Sequence, residues 1–232
     1  MQLKTSNTIK FFEEGFYQRW DLLPYENDYD PAVFLGLYNE SDVQAAIAHK
    51  GFKILVFTGA DIGNYERLSH FNCISDQYNL HNAGIIPIKS YEDFKPTPLG
   101  EYIYIYCSTE AYGFHEKFKL QMAREVAEHF EGKLLIGYHG NSIDKLRKEY
   151  YNKSFINLQL NPNAGFTTAL EMAHMGRKSI SNYNADFCIP FSNTYDIVDS
   201  IKREQENIGK TRTLNIKLLN SNEWLTPKFW QQ

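Results

Sequence analysis

The chain is poor in cysteine. Three occur in 232 residues, Cys73, Cys107 and Cys188. They lie far apart, form no CxxC or metal-ligand spacing, and their odd number argues against a disulfide framework. A reduced, cytoplasmic protein is the expectation. There is no excess of positive charge either: 24 Lys and Arg against 28 Asp and Glu leave a net charge of −4. No global basic field therefore advertises nucleic-acid binding. No apolar run approaches the length of a membrane span. The opening MQLKTSNTIKFFEEG lacks the apolar centre of a secretory signal, so neither export nor membrane insertion is expected. Without such a signal, the sequons at 39–41 and 152–154 read as chance. Repeats and low-complexity tracts are absent as well.

What the chain does have is enough apolar residue for a real core, 43% of the total, and 16 Tyr and 16 Phe. Many of these aromatics should be core, with some tyrosines left to line a site. The length allows one large domain or two small ones. After about thirty residues of unassigned structure, short apolar strands alternate with helical patterns. Strands are expected at 32–37, 53–57, 72–75 and 85–88, with a helix capped by Ser41 and running to about Lys50, closed by Gly51, and a short helix near 64–69. This rhythm implies a parallel sheet. Lys95-Pro96-Thr97-Pro98-Leu99-Gly100 interrupts it, because proline restricts both itself and its predecessor. The rhythm restarts with strands at 102–107, 133–137, 155–160, 178–181 and 188–191. Helices are expected at 115–130, 142–151 and 194–207, and an aromatic tail spans 224–230. Two domains follow, 1–97 and 98–232.

The most informative stretch is PNAGFTTALEMAHMGR, residues 162–177. It joins an apolar strand to a helix opening on Gly165, Phe166, Thr167 and Thr168. The first N–H groups of a helix lack internal partners and carry partial positive charge, which suits phosphate. Thr167 and Thr168 are good capping residues and can donate hydroxyl bonds. Glu171 follows them by four and three residues on the same face, about 6 Å along the axis. That is roughly one phosphate-to-ribose step, and a carboxylate accepts bonds from two ribose hydroxyls. Phe166, Ala169, Leu170 and Ala173 would pack on a sheet, and Gly176 would end the helix. The plainer alternative is an ordinary amphipathic helix whose polar side holds Thr167, Thr168, Glu171 and His174.

Residues 164–182, AGFTTALEMAHMGRKSISN, together with the strand and loop 102–113 and the strand 134–138, resemble the nucleotide-sugar-binding half of GT-B-fold glycosyltransferases of the retaining type. The likeness is good over about 100–190 and only topological over 32–89. It implies an α/β protein of two Rossmann-like parallel-sheet domains facing a cleft, the N-terminal one abbreviated and serving the acceptor. It also implies that Glu171 binds the nucleotide ribose and that Gly165, Phe166, Thr167 and Thr168 approach the phosphates. Retaining members often carry a second glutamate eight residues before the ribose-binding one. Asn163 stands there in this chain, so the stereochemical course is not implied.

Glycosyl transfer places growing negative charge on the leaving diphosphate. The family generally offsets it without a bound metal, using basic side chains and a helix end. No DxD follows a donor-site strand; Asp28-Tyr29-Asp30 is the nearest match. Lys117 and Lys119 are the expected phosphate cations, with Arg124 further along, or else solvated helix charges. Ser108 and Thr109 would bind phosphate or simply cap a turn. Tyr138 and His139 end a strand where the family often contacts the base, and Tyr138 offers a ring face. On the acceptor side Asp61, in Thr58-Gly59-Ala60-Asp61, is the first choice for general base, with an N-cap as its alternative. Tyr38, Asn39 and Glu40 come second, while His81 and His115 read as surface or packing residues. The expected function is sugar transfer from a nucleotide-diphosphate sugar to an acceptor hydroxyl, with no cofactor. Transfer to a modified DNA base, and a non-catalytic nucleotide- or sugar-binding module, are the alternatives.

Overall fold

Every strand pairing in the computed structural model is parallel, and the described strands form two sheets of five. The structure describes residues 1–76, 80, 83–107, 119–138, 140–161, 166–183, 185–219 and 221–231. Parallel neighbours cannot be joined by tight hairpins, so crossover segments must cover the sheets. The chain divides into one unit of Met1–Ser90 with Leu218–Gln232, and a second of Tyr91–Lys217.

The first unit contains β1 (Gln2–Thr5), β2 (Leu23–Pro24), β3 (Ala32–Leu35), β4 (Lys53–Phe57) and β5 (Asn72–Ser75), in the order β2-β1-β3-β4-β5. Its helices are α1 (Glu13–Trp20), α2 (Glu40–Ala48) and α3 (Tyr65–Leu68). Two of these strands lie in the first thirty residues, so this sheet has as many strands as the other and is not abbreviated. Residue 85 makes only an isolated bridge to Ser75, in place of the expected fourth strand. Alternating residues face opposite sides of the sheet. Val33, Leu35, Ile54 and Val56 join one core with Leu3, Phe16 and Trp20, while Phe34, Leu55 and Phe57 join another with Val43, Ala46 and Leu68. The cap of helix α2 lies two residues earlier than the expected Ser41. Asn39 is its N-cap, bonding Asp42 N–H while Asp42 answers the Asn39 N–H, so Ser41 falls inside the helix.

The aromatic tail belongs to this first unit, whereas the sequence grouped it with the second half. Trp224 is fully buried, edge-on to Trp20 at 5.1 Å and to Phe16 at 6.4 Å. The indole of Trp230 donates to the Trp224 carbonyl at 2.7 Å.

The second unit contains β6 (Tyr102–Cys107), β7 (Leu134–Tyr138), β8 (Ser154–Leu158), β9 (Lys178–Ile180) and β10 (Cys188–Ile189), in the order β10-β9-β8-β6-β7. Counted from each unit's own first strand, both sheets have the order 2-1-3-4-5, that of a doubly wound fold. The helices are α4 (Leu120–Glu128), α5 (Ile143–Lys145), α6 (Thr167–His174) and α7 (Thr194–Gln205). Helix α5 runs on into a π-helical turn, Leu146–Tyr151. One sheet face is apolar, where Ile103, Ile105, Ile156 and Leu158 meet Leu120, Val126, Ile197 and Ile201. Buried Tyr104, Tyr151, Glu171 and Arg177 lie outside that apolar cluster. Among the described residues no helix is long and apolar enough to cross a membrane.

Trp224→Ala should destabilise the first unit by about 3–5 kcal/mol, the usual cost of emptying a buried aromatic site. Denaturant unfolding of both proteins checks this, and a loss under about 1 kcal/mol would contradict the docked tail.

Candidate functional site

In the second sheet β6 and β8 are neighbours, yet their chain successors β7 and β9 lie on opposite sides of that pair. This is the topological switch point, and segments leaving the carboxyl ends of two such strands diverge and leave a crevice. Residues 108–118 follow β6, and residues 159–166 lead from β8 to α6. The described part of the motif, from Phe166 into α6, therefore follows the strand edge where ligands of this strand order bind.

Helix α6 starts at Thr167, with Phe166 as its N-cap and no side chain among the described residues capping it. The two threonines are the first helical residues and not caps as expected. The reason is local packing: the Phe166 ring is fully buried, 4.7 Å from Tyr183 and 5.4 Å from Phe187. Its side chain is thus core, and only its backbone remains suited to a phosphate. Thr167 and Thr168 are half-buried. Ala169, Leu170 and Ala173 pack inward as expected. Gly176 ends the helix at φ +89°, and Arg177 N–H returns to the Met172 carbonyl at 2.8 Å, a Schellman closure.

Glu171 does not lie on an open polar face. It is 3% exposed, and the Tyr151 hydroxyl donates to its Oε2 at 2.5 Å. Burial and the Glu171 charge push the Tyr151 phenol well above its ordinary value, with Thr168 hydrogen bonding as a smaller opposing influence. The Tyr104 phenol is driven the same way, first by burial and then by Glu171. Both tyrosines therefore remain protonated donors.

Lys119 is exposed at the N-terminal end of α4 in a left-handed conformation, φ 58°, and Arg124 is exposed one turn on. Helix α4 starts at Leu120 among the described residues, and the expected start at 115 lies outside them. Tyr138 ends β7 half-buried against the apolar core, with its carbonyl accepting from Asn141 at 2.9 Å. Ser108, Thr109, Lys117, His139 and Gly165 lie outside the described residues, as do His81 and His115. Among the described residues no group of His, Cys, Asp and Glu gathers as a metal site.

In the first unit Asp61 is 1% exposed and lies in a 3-10 turn, Ala60–Asn64. Its carboxylate accepts Leu37 N–H at 3.0 Å and Thr58 N–H at 2.9 Å, clamping the ends of β3 and β4. This is a bracket for two loops and not the N-cap offered as its alternative, since Gly59 caps that turn. Asp42 does similar work, accepting the Ser6 hydroxyl at 2.7 Å and the N–H groups of Tyr38 and Asn39. The Tyr38 hydroxyl donates to the Thr58 carbonyl at 2.9 Å, and Glu40 pairs on the surface with Arg67.

Three residues of the second unit's polar layer escaped the sequence reading. Gln159 and Asn161 are buried just beyond β8, and polar residues following an apolar strand were a usable signal. Tyr151 gave none, because its meeting with Glu171 depends on the π-helical turn.

Burial raises the Asp61 carboxyl from 3.8 to about 6, against the opposing pull of its N–H donors. Below about pH 4 it is protonated in both states. Above about pH 6 the folded chain must hold a buried carboxylate. Wild-type stability relative to Asp61→Asn should therefore fall across this window by about 3 kcal/mol. Urea unfolding of both proteins at several pH values measures it, and a pH-independent difference would contradict the assignment.

No protein-family model matches the sequence, and no curated protein matches it.

Proposed function

We propose that the chain is a glycosyltransferase that moves a sugar from a nucleoside-diphosphate sugar to an acceptor hydroxyl, with the second unit holding the donor. One observation carries the reading: a buried carboxylate, Glu171, one turn below two half-buried threonines at the start of a helix that leaves the switch-point edge of a parallel sheet. The N–H groups at the start of α6 suit the diphosphate. The spacing from there to Glu171 matches the step from phosphate to ribose.

In the reaction the bond from the anomeric carbon to the phosphate oxygen breaks and its electron pair leaves with the diphosphate. A bond to the acceptor oxygen forms, and the acceptor hydroxyl loses its proton. The helix end and Lys119, with Lys117, Ser108 and Thr109 from the residues after β6, would meet the charge on the leaving diphosphate. Tyr138 and His139 would face the base.

The paired Rossmann-like sheets support this reading, since each presents a carboxyl edge of the same construction. On the first unit Asp42 and Asp61 stand just beyond β3 and β4, and Asp76 follows β5. Their negative charge favours an uncharged acceptor over DNA, whose phosphates they would repel. Asp61 is committed to two backbone N–H groups, so it enters the proposal as the anchor that shapes this edge and not as the base.

Glu171→Ala should weaken nucleoside-diphosphate binding by about 1–3 kcal/mol, through loss of a charge-assisted bond. Titration calorimetry on the folded variant measures this, and unchanged affinity would contradict the ribose assignment. Product mass spectrometry with a panel of donors tests the transfer itself. Binding without donor hydrolysis or transfer would mark a non-catalytic nucleotide module.

A further inference from the structure

We propose that Tyr151 is a positioning residue: its phenol holds Oε2 of Glu171 so that the carboxylate is presented to the ribose diol in one fixed orientation. This rests on the nucleotide reading above. The Tyr151 hydroxyl donates to Glu171 across twenty residues of sequence, from the end of the π-helical turn to the middle of α6. Both side chains are buried.

The phenol is itself fixed from two directions. The Tyr151 carbonyl accepts from Nε of the fully buried Arg177 at 3.1 Å. Arg177 directly follows the glycine that ends α6, so one turn of chain holds the backbone of Tyr151 while another holds its hydroxyl. Tyr104 meets the Tyr151 ring edge-on at 5.3 Å. Tyr104 lies over Gly137, where a Cβ would come 2.1 Å from its hydroxyl, so β7 leaves the ring its place. The π-helical turn that delivers Tyr151 is a form that recurs at functional sites.

Packing alone does not call for this pair. A phenylalanine would fill the same volume as Tyr151 without burying a hydroxyl, and a buried carboxylate is costly wherever it sits. What the hydroxyl adds is direction. A free carboxylate rotates about its last bond, and a donor on one oxygen fixes the plane of both. Burial keeps the Tyr151 phenol protonated, so the donor persists at neutral pH.

The test compares binding of ADP, GDP and UDP with that of the 2′,3′-dideoxy form of whichever binds most tightly, in wild type, Tyr151→Phe, Glu171→Gln and Tyr104→Phe. Wild type should prefer the ribonucleotide at least about tenfold, the worth of one charge-assisted bond. Tyr151→Phe should lose about fivefold or more of that preference, with dideoxynucleotide affinity unchanged. Tyr104→Phe, which leaves the bond to Glu171 in place, should keep the preference. Full discrimination in Tyr151→Phe, or an equal fall for both nucleotides, would assign Tyr151 to structure alone and overturn the proposal. If Tyr151→Phe fails to fold, Tyr151→Met supplies the same comparison. A wild type that binds both forms equally would overturn the ribose reading itself. A wild type that discriminates through Glu171 but not through Tyr151 would overturn only the positioning role.

Discussion

One buried cation organises the second unit. The Arg177 guanidinium is fully buried, and its five N–H donors are met by backbone carbonyls from three segments. Nη1 and Nη2 bond the carbonyls of Thr97 and Pro98 in the proline-rich link. Nε bonds Tyr151 and Ser154, where the π-helical turn gives way to β8, and Nη1 also bonds Met175 at the end of α6. Burial and the neighbouring Arg212 lower its ionisation to about 10, which still leaves it charged at neutral pH. A buried charge left without partners would cost several kcal/mol. The link, the turn and the helix end must therefore converge on it together. The location of α6, and with it of Glu171, follows from that convergence.

Around this point the fold was legible wherever apolar residues ran together. The strands from β3 to β10 lie close to the expected runs, because strands buried on both faces of a parallel sheet read as continuous apolar stretches. The exceptions are β1 and β2, and β1, the strand between β2 and β3, has in Gln2, Lys4 and Thr5 what looks like a polar terminus. Its backbone pairs with β2 and β3, and the Gln2 side chain is satisfied in place. Its carbonyl oxygen accepts Glu26 N–H at 2.6 Å and its amide donates to Asp30. Such partners lie more than twenty residues away, and local pattern cannot reveal them. Helix starts failed in a different way. Phe166 took the cap position from the threonines because its ring was needed in the core, so tertiary packing overrode capping preference.

The site was legible to the same degree. Glu171 could be picked out because spacing along one helix survives in the sequence. Its surroundings could not, because they are assembled across elements. The face expected to be open is enclosed by Tyr151, which arrives through a turn with hydrogen bonds from residue i to i−5, seen in Asn152 N–H to the Arg147 carbonyl at 2.9 Å. No periodicity rule written for 3.6 residues per turn anticipates which side chain such a turn delivers inward.

Asp61 and Glu171 are both nearly inaccessible acids, and they accept donors of different kinds. Asp61 is filled by backbone N–H groups of its own and the neighbouring loop, so its charge is spent on the shape of those loops. A backbone donor cannot be exchanged by substitution and does not depend on side-chain rotation, which is what a structural bracket needs. Glu171 accepts a phenol from a distant turn, a side-chain donor whose direction depends on how its own ring is packed.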